Sequence, residues 1–222
     1  MKAKLLGILA VHAFLVLHAQ ADTYLSTLGN PPQSDSEVYD DGVVYEQWGI
    51  PFITGPLDYT LDSVTLVLKQ DSGTSKLQAS LYLADGNNLP TGAPISIDFT
   101  WSAIPTLDFG EVTFTPGSTI NLDATSSYVF VLSTSTDGSY LWQTVTDPSY
   151  AATGGWSFPN PFVMAYLTNQ YGSPVWTEGS GGTYHFMGAI EATPVPEPTT
   201  LGLGLLSLAI LGLRRSRGSS VE

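Results

Sequence analysis

The sequence predicts an all-β body, folded as a jelly-roll-like antiparallel β-sandwich of about eight to ten strands. Apolar and polar residues alternate in several runs, and turn-forming residues separate these runs. No window between the runs favours the helical period of 3.6 residues. A closed β-barrel is the alternative arrangement. We expect an N-terminal signal helix and a single C-terminal transmembrane helix to flank this body.

Period-two alternation places apolar residues on one face of each predicted strand, the face toward the core. The clearest run is 59–68, in which Val64, Leu66 and Leu68 share a face. The same alternation predicts burial of three further sets: Leu77, Ala79, Leu81 and Leu83; Ile95, Ile97, Phe99 and Trp101; Val112 and Phe114. Residues 128–132 are almost continuously apolar, which predicts a strand buried on both faces.

Shorter apolar runs at 140–142, 162–167 and 184–190 complete the predicted strands. Two stretches, 146–161 and 169–182, are rich in Gly, Pro and Ser and are typical of long loops or irregular edges. The body, residues 22–192, has the length of one domain and is large enough to bury a core.

The N-terminus has the pattern of a secretory signal peptide, residues 1–21. Lys2 and Lys4 precede an apolar segment, and small residues follow it in Ala19-Gln20-Ala21. Signal peptidase reads small residues at these two alanine positions, so we expect cleavage before Asp22. A permanent N-terminal membrane anchor is the alternative.

The C-terminus predicts a spacer, a membrane span and a basic stop. A Pro-rich linker at 193–198 is not helical, because each proline fixes φ and favours extended neighbours. Residues 199–213 are apolar and uncharged, and the predicted cytoplasmic tail 214–222 carries three arginines as the stop: Arg214, Arg215 and Arg217. Both chain ends should then lie in the cytoplasm and the body outside it. A buried C-terminal helix of a soluble domain is the alternative.

This tail resembles the PEP-CTERM sorting signal of Gram-negative bacteria, which an exosortase reads and cuts. The resemblance is carried by Val195-Pro196-Glu197-Pro198, by the apolar segment and by the arginines, in that order. It implies a temporary anchor that is cleaved near Pro-Glu-Pro, and a mature form at the cell surface or outside the cell. Such tails are sometimes labelled an ice-binding-protein C-terminal domain, a label that we apply to the tail only.

The body resembles the choice-of-anchor R domain of bacterial surface proteins. The resemblance is carried by four stretches: 59–66, 81–83, 85–92 and 122–132. Members of that family often have Gly-Thr before the tyrosine of the last stretch and Trp after it, where this chain has Ser126-Ser127 and Val129. The resemblance implies an exported β-domain with an interchangeable sorting tail, and it transfers no catalytic residues.

Charge and composition exclude several classes of function. Residues 22–192 contain eighteen acidic residues against Lys69 and Lys76, a formal charge of −16. Such a surface repels the phosphates of nucleic acids, so we expect no nucleic-acid partner. The chain has no cysteine, which excludes disulfides and thiolate chemistry. His185 is the one histidine of the body, and no cluster of zinc-ligand type is present.

Carboxylates leave two chemical possibilities open. A glycoside hydrolase needs a carboxylate pair, for which the candidates are Glu37, Glu46, Glu111 and Glu178. In so acidic a chain, a solvated surface is the favoured interpretation of these residues. A candidate Ca²⁺ site lies in a loop-like stretch that offers Asp35, Glu37, Asp40 and Asp41. No other cofactor is expected.

Tryptophans near loops and strand ends suggest a glycan platform. Trp142 and Trp156 are the two candidates for stacking on a sugar, and Trp48 and Trp176 also lie near loops or strand ends. Core packing is the alternative for these side chains. We therefore predict a non-enzymatic exported protein of the cell surface or its exopolysaccharide matrix. Its expected partners are signal peptidase, an exosortase-type membrane protease and extracellular polysaccharide. A carbohydrate-binding module and a glycosidase are the alternatives.

Overall fold

A computed structural model describes residues 21–41, 43–73, 76–135, 138–146, 150–159, 165–168, 175–178 and 184–196. All strand pairs in these residues are antiparallel, and no helix is found among them, so the all-β prediction is confirmed. They form sixteen strands, more than the eight to ten expected, and six of these contain four residues or fewer. The predicted signal helix and transmembrane helix lie outside the described residues. Within the described part, no helix has the length and apolar character to cross a membrane.

The strands follow the chain in this order: β1 (Asp22–Ser26), β2 (Ser34–Asp40), β3 (Tyr45–Ile53), β4 (Tyr59–Gly73), β5 (Lys76–Ala84), β6 (Pro90–Ser96), β7 (Phe99–Trp101), β8 (Gly110–Pro116), β9 (Asn121–Leu122), β10 (Ser127–Ser135), β11 (Gly138–Thr146), β12 (Ala151–Ala152), β13 (Ala165–Thr168), β14 (Val175–Glu178), β15 (Tyr184–Phe186) and β16 (Gly188–Pro194).

The strands fall into two groups joined by β11 and β2, and β15 pairs with the end of β11. The first group has the order β12-β1-β16-β4-β8-β7, with β9 beside the start of β4. The second has the order β6-β5-β10-β3-β13-β14. Beyond Leu68, the fifteen-residue strand β4 leaves the first group and pairs with β11. Strand β11 pairs in turn with β2, and β2 forms an antiparallel hairpin with β3. Pairing is thus continuous from one group to the other.

The inner faces of the two groups pack into one core, which makes the fold sandwich-like. Val64, Leu66 and Leu68 of β4 are buried in it, as the alternation predicted. The other principal core residues are Val112 and Phe114 of β8, Ile50 and Phe52 of β3, Leu77, Ala79 and Leu81 of β5, and Phe130 and Leu132 of β10.

Strand β10 is buried on both faces, which confirms the prediction for residues 128–132. Tyr128, Phe130 and Leu132 belong to the main core. On the opposite face, Val129 and Val131 are covered by Ala165 of β13. The continuous apolar sequence follows from this cover on both faces, while β3 and β5 pair with the two edges of the strand.

The predicted burial of the run 95–101 is wrong for three of its four residues. Phe99 is buried, but Ile95, Ile97 and Trp101 are 43%, 70% and 38% exposed. The run is not one strand: β6 ends at Ser96, β7 begins at Phe99, and Ile97 and Asp98 between them belong to no strand. Leu83, also predicted buried, is 46% exposed at the end of β5.

The stretches predicted as loops contain core residues and strands. Within 146–161 lie β12 and two buried side chains, Trp156 and Phe158. Within 169–182 lies β14, which pairs with β13.

Candidate functional site

The strand ends that border the two predicted processing sites are neighbours in the structure. Asp22, the expected first residue after signal cleavage, pairs with Ala192 in the β1–β16 ladder. Beyond β16, the Val195 N–H donates to the Asp58 carbonyl at 2.8 Å, and Pro196 is exposed. Ala21, the last residue before the expected signal cleavage, is exposed. The remaining candidates lie outside the described residues: Ala19, Glu197, Pro198, Arg214, Arg215 and Arg217.

Trp142 is a core residue, which contradicts its predicted role in glycan stacking. Its side chain is fully buried, and its ring stacks on Phe186 at 3.7 Å between centroids. Its indole N–H donates to the Met187 carbonyl at 3.3 Å. Because the indole lies inside the packed core, a sugar ring cannot reach it in the folded protein.

Trp156 is also inaccessible, so the second predicted glycan platform is wrong for the same reason. It is 3% exposed and lies between Tyr24 and Phe52, with ring centroids at 5.1 and 5.7 Å. Tyr59 meets it edge-on at 5.0 Å. Aromatic stacking within the core, the alternative interpretation, accounts for this tryptophan.

The acidic stretch near β2 does not gather a metal site. Asp35 and Glu37 are exposed on β2, and Asp41 Oδ1 accepts the N–H groups of Val43 and Val44 at 2.8 and 2.7 Å. These two hydrogen bonds lower the pKa of Asp41, because they stabilise the carboxylate. No group of three or more His, Cys, Asp or Glu side chains suited to a metal is found in the described part of the chain. Glu37, Asp40 and Asp41 border only an open depression of about 270 Å³.

The glycosidase candidates are distributed over different strands. Glu37 lies on β2 and Glu111 on β8, both exposed, while Glu46 of β3 accepts the Tyr166 hydroxyl at 2.7 Å. Burial, and then the hydrogen bond to Glu46, raise the pKa of Tyr166 to about 12. Nothing in the sequence pairs these two residues, because the contact joins strands that are distant in the chain.

We expect Glu46→Gln to lower the pKa of Tyr166 toward its ordinary value of 10.0, because the carboxylate no longer opposes the phenolate. Since the folded-state pKa is raised, the folded protein favours neutral tyrosine, and stability falls as pH rises from 10 to about 12. In the Glu46→Gln variant, the pH range over which Tyr166 lowers the stability should be narrower. NMR titration of the Tyr166 ring measures the pKa, and Glu111→Gln is the matched control. An unchanged Tyr166 pKa in Glu46→Gln would contradict this account.

An open groove of about 520 Å³ lies where the start of β5 faces β7. Its floor consists of buried residues: Leu77, Ala79, Phe99 and Tyr140. Its rim carries exposed or half-buried side chains: Ile97, Trp101, Gln70, Lys76, Gln78 and Ser102. Apolar and hydrogen-bonding groups are therefore side by side, as in sites for small or extended polar ligands.

Trp101 is held at this rim by an edge strand. Strand β7 pairs only with β8 among the described strands, and Trp101 faces Phe114 with ring centroids at 5.6 Å. After Trp101 the chain turns back to β4, where the Pro105 carbonyl accepts the Gln70 N–H at 2.8 Å. The indole is thus fixed on one side and open to solvent on the other.

The opposite wall of the groove is a strand edge. Strand β5 pairs with β10 along one side, but on its other side β6 begins to pair only at Leu81. Between Lys76 and Ser80, this side of β5 has no strand partner among the described residues. Unpaired peptide groups at such an edge donate and accept hydrogen bonds.

Sequence reasoning missed this groove because alternation placed Trp101 in the core. One signal was present: Asp98, a turn former, interrupts the apolar run. In the structure, the Asp98 carbonyl accepts the Gly117 N–H at 2.7 Å, which closes the start of β7 onto the end of β8.

No protein-family model matches the chain, and no curated protein matches it. Among solved structures, the chain is similar to that of infectious bursal disease virus, Gt strain, with 14% identity and a TM-score of 0.31 over 81% of this chain and 43% of that one. The VP2 subviral particle of the same virus gives 14% identity and a TM-score of 0.29 over 89% of this chain and 50% of that one. The chain spans half or less of the length of these proteins.

Proposed function

We propose that this chain is an exported, non-enzymatic protein, sorted to the cell surface or its exopolysaccharide matrix through a PEP-CTERM tail. The supporting observation is the position of the strand ends. Strand β1 begins at Asp22, directly after the predicted signal cleavage, and β16 ends at Pro194, one residue before the Pro-Glu-Pro motif begins at Pro196. The folded body thus occupies the segment between the two predicted cuts.

The pairing of β1 with β16 supports the proposed topology. Asp22 at the start of β1 and Ala192 near the end of β16 are paired, so the segments before and after the body start from neighbouring strand ends. The Val195 N–H donates to the Asp58 carbonyl, which attaches the residue after β16 to the body. This adjacency supports a topology in which both segments are directed to the same membrane. Signal peptidase and an exosortase are the proposed processing partners. For the body itself, we propose that the strands are connected as in a jelly roll.

The sorting proposal is tested with Glu197→Ala in a host that has its exosortase. We expect the variant to keep residues 201–222, because the cleavage motif is altered, whereas the wild-type surface form should lack them. Intact mass of the surface form measures the difference, with a host lacking the exosortase as reference. Glu111→Ala, an exposed substitution on β8, is the control and should be processed normally. If wild type retains Leu201 to Glu222 in both hosts, the tail is a permanent anchor and the proposal fails.

The exposed indole of Trp101 favours a second candidate function for the body, carbohydrate binding. The ring borders a groove with amide side chains, which is the kind of surface predicted for such a module. In this proposal Trp101 takes the place of Trp142 and Trp156.

A further inference from the structure

We infer that the groove beside Trp101 binds an uncharged, extended polysaccharide chain. This inference rests on carbohydrate binding as the function of the body, and it is independent of the sorting tail. Stacking, hydrogen bonding and charge each contribute one part of the argument.

The stacking surface is formed before any ligand arrives. Trp101 is 38% exposed, and its other side packs on the buried ring of Phe114 with the ring centroids 5.6 Å apart. The C–H face of a sugar ring is apolar and packs on such a ring as another apolar group would. Ile97, 70% exposed on the same rim, extends the apolar surface for a neighbouring sugar. A rigid platform of this kind lowers the entropic cost of binding.

Hydroxyl groups find both donors and acceptors in the groove. The Gln70 amide is held by its own N–H, which donates to the Gly73 carbonyl at 2.7 Å. Gln78 and Ser102 add side chains that donate and accept. The edge of β5 from Lys76 to Ala79 also lines the groove and adds backbone groups. Donors and acceptors from several residues of an open groove suit the repeating hydroxyls of a polysaccharide.

Charge favours a neutral ligand. The body carries eighteen acidic residues, and their combined field repels a polyanion at long range. No carboxylate lines the groove among the described residues, so the lining adds no negative charge to this field. Lys76 is the one cation in the described lining, and its ammonium group can donate to sugar oxygens.

The test is calorimetric titration of the full-length chain, purified in detergent, with cellohexaose, mannohexaose and maltohexaose. We expect at least one of these neutral sugars to bind. Trp101→Ala should weaken that binding by about tenfold or more, because the stacked pair is lost. Trp101→Phe, which keeps an aromatic ring and its contact with Phe114, should retain part of the affinity. The control is Tyr150→Ala, another exposed aromatic residue that does not line the groove, and it should bind as wild type.

Three results would overturn the inference. The first is an absence of binding for all three neutral sugars while the wild-type chain is folded by circular dichroism. The second is preferential binding of hexagalacturonate that weakens steeply with salt and is lost in Lys76→Gln, which would identify an anion site. The third is preferential binding of an eight-residue Thr-Val repeat peptide, which would identify strand addition at β5. The sorting proposal is unaffected by all three, because its readout is the mass of the surface form.

Discussion

Trp142→Ala should lower the free energy of unfolding by about 3–5 kcal/mol, the range for truncation of a large buried aromatic side chain. Trp142 is fully buried, stacks on Phe186 and donates its indole N–H to Met187. Its strand, β11, pairs with β2, β4 and β15, so the walls of the cavity cannot collapse freely. Urea unfolding followed by circular dichroism measures the loss.

Leu107→Ala is the matched control for this truncation, because Leu107 is 86% exposed and its removal leaves no cavity. Its free energy of unfolding should change by no more than about 0.5 kcal/mol. A Trp142→Ala variant with wild-type stability would show that the ring does not stabilise the core. The comparison also separates the two interpretations of the tryptophans: Trp142 acts on stability, and Trp101 acts on sugar binding.

Gly55→Ala should destabilise the fold by about 1–3 kcal/mol, because an added methyl group has no space. A Cβ at Gly55 would collide with the carbonyl oxygen of Gly154 and would lie 2.8 Å from the Tyr59 hydroxyl. The backbone cannot retreat easily, since the Gly55 carbonyl accepts the Thr125 N–H at 2.8 Å. Thermal unfolding should show a lowered midpoint.

Gly29→Ala provides the reference for Gly55→Ala. Nothing lies within 4 Å of a Cβ built at Gly29, so this substitution should be close to neutral in the same experiment. Equal midpoints for the two variants would contradict the proposed collision. This region also carries Trp156, so the expected strain falls on the aromatic cluster that the sequence did not reveal.

Much of the core could be predicted from sequence, because the burial of these residues follows from the pattern within a single strand. Val64, Leu66 and Leu68 alternate within a single unbroken strand, so their faces follow from the pleat alone. The continuous run in β10 likewise reflects one property, the apolar cover on both of its faces. The prediction failed for Ile97 and Trp101, because the strand pairing is interrupted at Ile97 and Asp98 and β7 begins only at Phe99.

For the candidate site, the sequence predicted the type of residue, tryptophan, but not which tryptophan is exposed. Trp156 lies in a Gly-rich stretch that predicts exposure, yet Tyr24 and Phe52 enclose it through contacts between distant parts of the chain. For Trp101 the error is the reverse: its apolar pattern predicts burial, but the indole is exposed. Strand β7 has one strand neighbour in the described part, and the indole therefore lies at an edge. Exposure of a ring depends on which strands are neighbours, and periodicity contains no information about that.

The pairing of Asp22 with Ala192 makes the body nearly circular as a chain. A short covalent link between these neighbouring strand ends would leave every pair of the β1–β16 ladder in place. New ends could then be opened at the exposed turn of Gly86 and Asn87, between β5 and β6. Circular permutation at this turn would move both termini to the far end of β5 while the strand order in space stays the same. We expect the permuted chain to reach the same fold, because every strand keeps its neighbours.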